Sequence, residues 1–402
     1  MGDFYQHPGV TTLHCLADFP VVERARALAV NAKVGPLMLV IPALYSEIGQ
    51  PAFTGIVEQL RDHPFAEPMV VSMNRMDAAG FTRARAFLSA LPESHRILWN
   101  DGPRLRAIRE AVERGGHGPV PDGKGTNVWM ALGYAVARGD IAAVAAHDAD
   151  ILRYSRALLA RLCTPLLDPA MDYAFAKSYY ARVSDRMYGR VTRLLVLPLV
   201  RALRGTLCPL PLLDFLDAFR YPLAGEFALS VDLAGKLRLP GHWGLETGML
   251  CEVFRHAPPG SVCQVGLGSG FEHRHRALEG PAPGEALAGM ARDIVFTLLE
   301  ALRVEGVELS ASMLGEIESA FSRETRTALR RYEDDARMNG LEFDAGEERT
   351  AVERFKRVLG LAGAAFLVND SRCVALPAWE TVFGDSPGLR RQLLDAVEAD
   401  NS

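Results

Sequence analysis

Short apolar runs alternate with amphipathic stretches through the first 150 residues. Residues 36–44 (PLMLVIPAL) form an unbroken apolar run that ends in a turn, the pattern of a strand covered on both faces. Apolar positions over 48–62 then recur at helical spacing. The same alternation predicts strands over 68–73 (PMVVSM), 95–99 (HRILW) and 141–146 (IAAVAA), and helices over 78–90, 103–114 and 126–138. Strands and helices in this order predict an α/β fold, a mostly parallel sheet with helices on both faces. Ligands of such sheets bind beyond the carboxyl ends of the strands.

The middle of the chain is mixed. Strands are expected over 173–179 and 262–266, and helices over 187–204 and 245–255, the first of them kinked by Pro198. From about 281 to 368 the pattern is helical and charge-rich. The cluster GPAPG at 280–284 marks the best boundary. The division expected is an α/β half (1–150), a second half of the same core (151–280) and a helical C-terminal extension (281–402).

Hydrophobic residues make up 49% of the 402 and charged residues 23%, which excludes a disordered or fibrous chain. A net charge of −5 argues against a protein built to coat nucleic acid or an anionic membrane. Six cysteines without CxxC spacing argue against a zinc site or a disulfide scaffold and fit a reducing compartment. The apolar run 194–200 is too short to span a bilayer, and the first residues lack the pattern of a secretory leader. The expected location is the cytoplasm.

Candidate chemistry gathers where strands run out. Asp148-Ala149-Asp150 follows 141–146 directly. Two carboxylates one residue apart can hold a hard divalent cation, Mg²⁺ or Mn²⁺, whose open positions take phosphate oxygens; a solvated turn is the ordinary alternative. Gly123-Lys124-Gly125 precedes a helix and lets backbone and ammonium approach a phosphate, in a chain with 39 Arg but only five Lys. Pro42-Ala43-Leu44-Tyr45-Ser46-Glu47 lies beside the same margin, with Ser46 placed to cap the following helix. Gly189-Arg190-Val191-Thr192 is a possible anion cradle at a helix start. The segment 222–226 (PLAGE) can line a pocket floor. Glu246 opens a helix, where a carboxylate stabilises the first turn or holds an acceptor hydroxyl. Glu272-His273-Arg274-His275-Arg276 sets imidazoles beside guanidinium groups. Each of these segments has an ordinary reading as a turn, helix start or surface cluster.

Taken in order, PAL (42–44), GKG (123–125), DAD (148–150), GRVT (189–192), PLAGE (222–226), GLE (244–246) and HRHR (273–276) resemble the glucosyl-3-phosphoglycerate synthase family, over roughly residues 36 to 300. These are retaining glycosyltransferases of the GT-A fold. The resemblance implies that Pro42, Ala43, Leu44 and Ser46 contact the donor base, that Lys124 and Asp148 sit at the nucleotide, and that Asp150 and His273 hold the metal. It implies that Leu223, Ala224 and Gly225 line the sugar pocket. Gly189, Arg190, Thr192, His275 and Arg276 would bind the acceptor. Glu246, with Asp150, would lie at the reacting centre. By the same resemblance 1–150 is the nucleotide-sugar-binding half and 151–280 the acceptor-binding half, and a homodimer contacting through C-terminal helices is implied as well. Two positions depart from the pattern, Ser46 where an acidic residue is usual and His275 where Asn is usual.

The function implied is transfer of glucose from an NDP-glucose, UDP-glucose first, to the 2-hydroxyl of 3-phosphoglycerate. The partners are then a nucleotide-sugar donor and a small phosphorylated acceptor, with neither nucleic acid nor membrane. Mannosyl transfer from GDP-mannose, a sugar nucleotidyltransferase and a catalytically silent nucleotide-sugar binder are the alternatives.

Overall fold

The computed structural model describes residues 6–17, 19–29, 35–62, 65–268, 283–368 and 375–402. Eight strands build one sheet: β1 (Thr11–Leu13), β2 (Leu37–Leu44), β3 (Met69–Asn74), β4 (Arg96–Trp99), β5 (Ala143–Ala146), β6 (Phe175–Tyr179), β7 (Phe227–Ser230) and, after a two-residue strand β8 (Leu239–Pro240), β9 (Val262–Gly266). Their order across the sheet is β1-β9-β6-β7-β5-β2-β3-β4. Every pairing is parallel except those of β7, which runs against both β5 and β6.

The expected strands and helices of the first half all form. β2 is apolar throughout, and β3 nearly so, with only Ser72 and Asn74 polar, because helices cover both faces of the sheet. One face packs on Phe53, Ile56, Leu60, Phe81 and Leu159. The other packs on the helices Lys124–Arg138, Leu245–His256 and the C-terminal helices. β7 escapes the sequence pattern. Its four residues (FALS) are too few to show a period, and they follow a turn-rich segment.

Two local expectations are corrected. The helix expected from residue 48 starts at Pro51. Tyr45–Glu47 form a separate tight turn, so Ser46 caps nothing, while Pro42–Leu44 end β2 as the apolar run predicts. Pro42 is tolerated there because β5 pairs only as far as Val40, so the missing N–H interrupts no ladder on that side. The helix expected over 187–204 runs instead over 190–206. The helix continues through Pro198. Its first turns, Thr192–Val196, are wound wider than an α-helix, which relieves the clash of the proline ring with the preceding turn.

The extension contains the long helices Pro283–Val304, Ala311–Asn339 and Ala345–Leu367, then β10 (Ala375–Leu376), which pairs antiparallel with β8. The final helices Trp379–Asp385 and Pro387–Asn401 turn back onto the core. Trp379 stacks on Trp129 with ring centroids 4.1 Å apart. Each indole N–H donates to backbone across the contact, Trp379 to the Trp129 carbonyl and Trp129 to the Pro377 carbonyl. Asn401 pairs with both backbone groups of Ile97, closing the free edge of β4 as another strand would.

Candidate active site

One margin of the sheet collects the site. β2, β5, β6 and β9 all end there because they are parallel. The antiparallel β7 starts there, with Phe227 opposite Ala146, so the segment leading into it, 222–226, reaches the same margin. The acidic pair after β5, the end of β2 and the PLAGE turn thus meet, although they lie up to 180 residues apart.

Lys124 is the hub. It begins the helix Lys124–Arg138, and its Nζ lies 2.7 Å from Asp148 Oδ1 and 2.9 Å from Glu246 Oε1. Burial works to lower the pKa of this ammonium, but the two carboxylates overcome it and hold it well above the ordinary lysine range. The glycine beside it serves packing. A Cβ on Gly125 would fall 1.9 Å from the Pro240 carbonyl oxygen, so only glycine lets the helix start rest on that backbone. The segment 123–125 is a close helix-to-strand contact that aims one lysine at two acids.

The PLAGE turn lies against Asp148. A Cβ on Gly225 would come within 2.4 Å of the Asp148 carboxylate. Glu226, buried, accepts from Ser178 Oγ at 3.1 Å and Tyr180 OH at 2.8 Å. Lys177, on β6 and fully buried, donates to the Ala224 carbonyl. Its burial pushes its pKa down to about 8 against the pull of Glu246 and Glu226. Arg182 stands near Asp150 and bonds Tyr221. Among the described residues the cluster holds three cations, Lys124, Lys177 and Arg182, against four carboxylates, Asp148, Asp150, Glu226 and Glu246. The surplus negative charge and the hard oxygen donors suit a divalent cation.

Behind the acidic pair, His147 is buried. Its Nδ1 lies 3.1 Å from the Asp148 carbonyl oxygen, and its ring leans on Tyr154 at 4.7 Å. Burial pushes its pKa down to about 4, so the imidazole is neutral.

The structure thus brings together Lys124, Asp148, Glu246, Ala224 and Gly225. Asp150, half-buried, lies beside Arg182, and Leu223 beside Ala224. Pro42, Ala43 and Leu44 end β2, with Ser46 exposed and its neighbour Glu47 buried. Arg190 is engaged from within: its Nε lies 2.6 Å from Glu348 Oε1 and its Nη2 2.5 Å from Glu347 Oε2, both acids from the helix Ala345–Leu367. Gly189 takes a positive φ of 78° before it, and Thr192 is buried. His273, His275 and Arg276 lie outside the described residues. No group of three metal-ligating side chains occurs among the described residues. Sequence reasoning missed Lys177, Arg182 and His147, and named Glu226 only as part of the 222–226 segment. Lys177 did leave a signal, as one of five lysines and the only charge inside an otherwise uncharged strand.

A nearly parallel sheet with one reversed strand, and an acidic pair at its carboxyl margin, define a glycosyltransferase of the GT-A type. No protein-family profile matches the chain. Curated relatives span it fully. It is 36% identical to the glucosyl-3-phosphoglycerate synthase of Persephonella marina, over all of both chains. It is 35% identical to that of Methanococcoides burtonii, over 99% of this chain and 98% of the other. The crystal structure of the Mycobacterium tuberculosis glucosyl-3-phosphoglycerate synthase with Mn²⁺, UDP-glucose and phosphoglyceric acid superposes with a TM-score of 0.55 at 25% identity, covering 75% of this chain and 89% of that one. The chain belongs to the glucosyl-3-phosphoglycerate synthase family. Among the described residues no helix is long and apolar enough to cross a membrane.

Proposed function

We propose that the protein transfers glucose from UDP-glucose to the 2-hydroxyl of 3-phosphoglycerate, with retention at the anomeric carbon. The observation that carries this reading is the Asp148–Lys124–Glu246 chain, which joins the nucleotide side of the margin to the helix Leu245–His256. Family membership over the full length supports the donor and acceptor. Asp150, with His273, would hold Mg²⁺ or Mn²⁺, and that ion supplies charge neutralisation at the departing diphosphate. The protein's own residues position the reactants. Lys124 fixes Asp148 and Glu246 in one orientation. The 222–225 turn shapes the sugar pocket. Arg190 presents its guanidinium to the acceptor's anionic groups. No side chain here is assigned as a covalent nucleophile; the leaving diphosphate takes the acceptor proton on the same face, and catalysis is positioning and charge stabilisation.

A panel of nucleotide sugars with 3-phosphoglycerate, read as released nucleotide, tests the reading, and NMR of the product gives the anomeric configuration. UDP-glucose should lead. A preference for GDP-mannose would move the assignment to mannosyl transfer, and pyrophosphate release from UTP and a sugar phosphate would replace transfer altogether. Asp150→Ala should lower turnover on the order of 10²-fold or more; near-normal turnover would remove Asp150 from the metal site.

A further inference from the structure

We propose that Lys177 is a positioning residue for the donor pocket, retained for activity rather than for the fold. The proposal rests on the donor-side reading of residues 222–225. Lys177 sits in β6 opposite Phe227 of β7 and Gln264 of β9, with no exposed surface. Its ammonium donates to the Ala224 carbonyl and lies 5.8 Å from the Phe227 ring centroid. Ser178 and Tyr180, which follow Lys177, hold the other end of the same turn. Ser178 N–H donates to the Glu226 carbonyl at 3.0 Å, and Ser178 Oγ and Tyr180 OH donate to its carboxylate. β6 and Tyr180 just after it therefore clamp 224–226 through four hydrogen bonds, and the clamped turn carries Gly225, which packs against Asp148.

A cation on a carbonyl oxygen does more than tether it. It polarises the whole peptide unit, so the N–H of that unit becomes a stronger donor. The unit is trans, which aims the Gly225 N–H away from the side Lys177 occupies. A buried ammonium is costly to keep, because burial penalises the charged form and one carbonyl repays only part of that cost. A lysine kept in that position against its cost fits a role in binding, and the group it serves is the donor sugar-diphosphate beside Ala224 and Gly225.

The test compares the full-length enzyme with Lys177→Met and Lys177→Arg, by steady-state kinetics with each substrate varied and by thermal melting. Lys177→Met is expected to lower kcat/KM for UDP-glucose on the order of 10- to 100-fold, as for loss of a charge-assisted hydrogen bond. The acceptor KM should stay within about twofold, and Tm should change little, because relief of the buried charge offsets the donor lost by the Ala224 carbonyl. Lys177→Arg, which keeps a cation and N–H donors, should recover part of the loss. Unchanged donor kinetics, a Met variant that fails to fold or melts well below wild type, or an arginine variant no better than Met would each overturn the proposal. Wild-type enzyme that turns over UDP-glucose while the Met variant matches it sinks this inference alone. Wild-type enzyme inactive with every nucleotide sugar sinks the donor reading as well.

Discussion

At the residue scale, the site depends on charges held close together where water is scarce. Lys124 satisfies two carboxylates at once, so removing it takes the same cation from both. A carboxylate left without its partner in a half-buried site costs more than the pair contributed. Lys124→Met is therefore expected to lower kcat/KM by at least about 10²-fold, the scale of losing one preorganised electrostatic group, and to lower Tm. The fall in Tm is what separates it from Lys177→Met. His147 sets a pH limit of a different kind. Its imidazole is buried neutral, with a pKa pushed down to about 4 from 6.5. Between those values the unfolded chain binds the proton and the folded chain does not. Stability is thus intact above pH 6.5 and falls as pH drops toward 4, with a slope of up to about 1.4 kcal/mol per pH unit from this residue. Denaturant melts at pH 7, 6 and 5 should show His147→Gln losing less stability across that span than wild type. Parallel curves would show that His147 does not titrate on unfolding.

At the scale of elements, the helical run 190–206 and the helix Ala345–Leu367 meet through charge. Arg190 bonds Glu347 and Glu348, and Arg193 reaches Glu348 at 3.1 Å while lying over the Tyr332 ring. The two acids differ. Glu348 is buried and serves two arginines, whereas the Glu347 side chain is 52% exposed and serves one. An exposed pair of this kind contributes about 0–1 kcal/mol, so Glu347 is a weak occupant that an anionic acceptor can displace. With Arg190 as the proposed acceptor-binding residue, Glu347→Gln should lower the acceptor KM by up to about threefold with little change in Tm, within that energy range. Glu348→Gln should lower Tm instead, because it leaves Arg193 partly unsatisfied in a buried setting. Kinetics and melting of the two variants side by side distinguish the roles.

At the scale of the whole molecule, the C-terminal residues complete the core rather than trail from it. The Trp129–Trp379 stack seats the tail on the helix that begins with Lys124, and Gly133 is the only residue that fits there, since a Cβ would fall 2.2 Å from the Trp379 ring. Trp379 is 1% exposed. Trp379→Ala should cost about 3–5 kcal/mol, the range for an aromatic removed from a packed core, visible as a lowered denaturation midpoint at unchanged m. A loss below about 1 kcal/mol would show that the tail is not part of the cooperative core.

Much of this was legible before the fold was seen. The apolar runs 36–44, 68–73 and 141–146 determined the buried strands, because a strand covered on both faces is apolar at nearly every position. The motif order determined the family and which acids and cations to watch. Tertiary structure alone decided the rest. β7 runs antiparallel, and that reversal carries 222–226 to Asp148; four residues cannot announce a direction. Lys124 meets Glu246 across 122 residues, and Arg190 meets its two glutamates across more than 150, contacts that no local period encodes. Local sequence sets what each segment can become, while the distances between charges, and with them every shifted pKa and every partner, exist only once the chain has closed on itself.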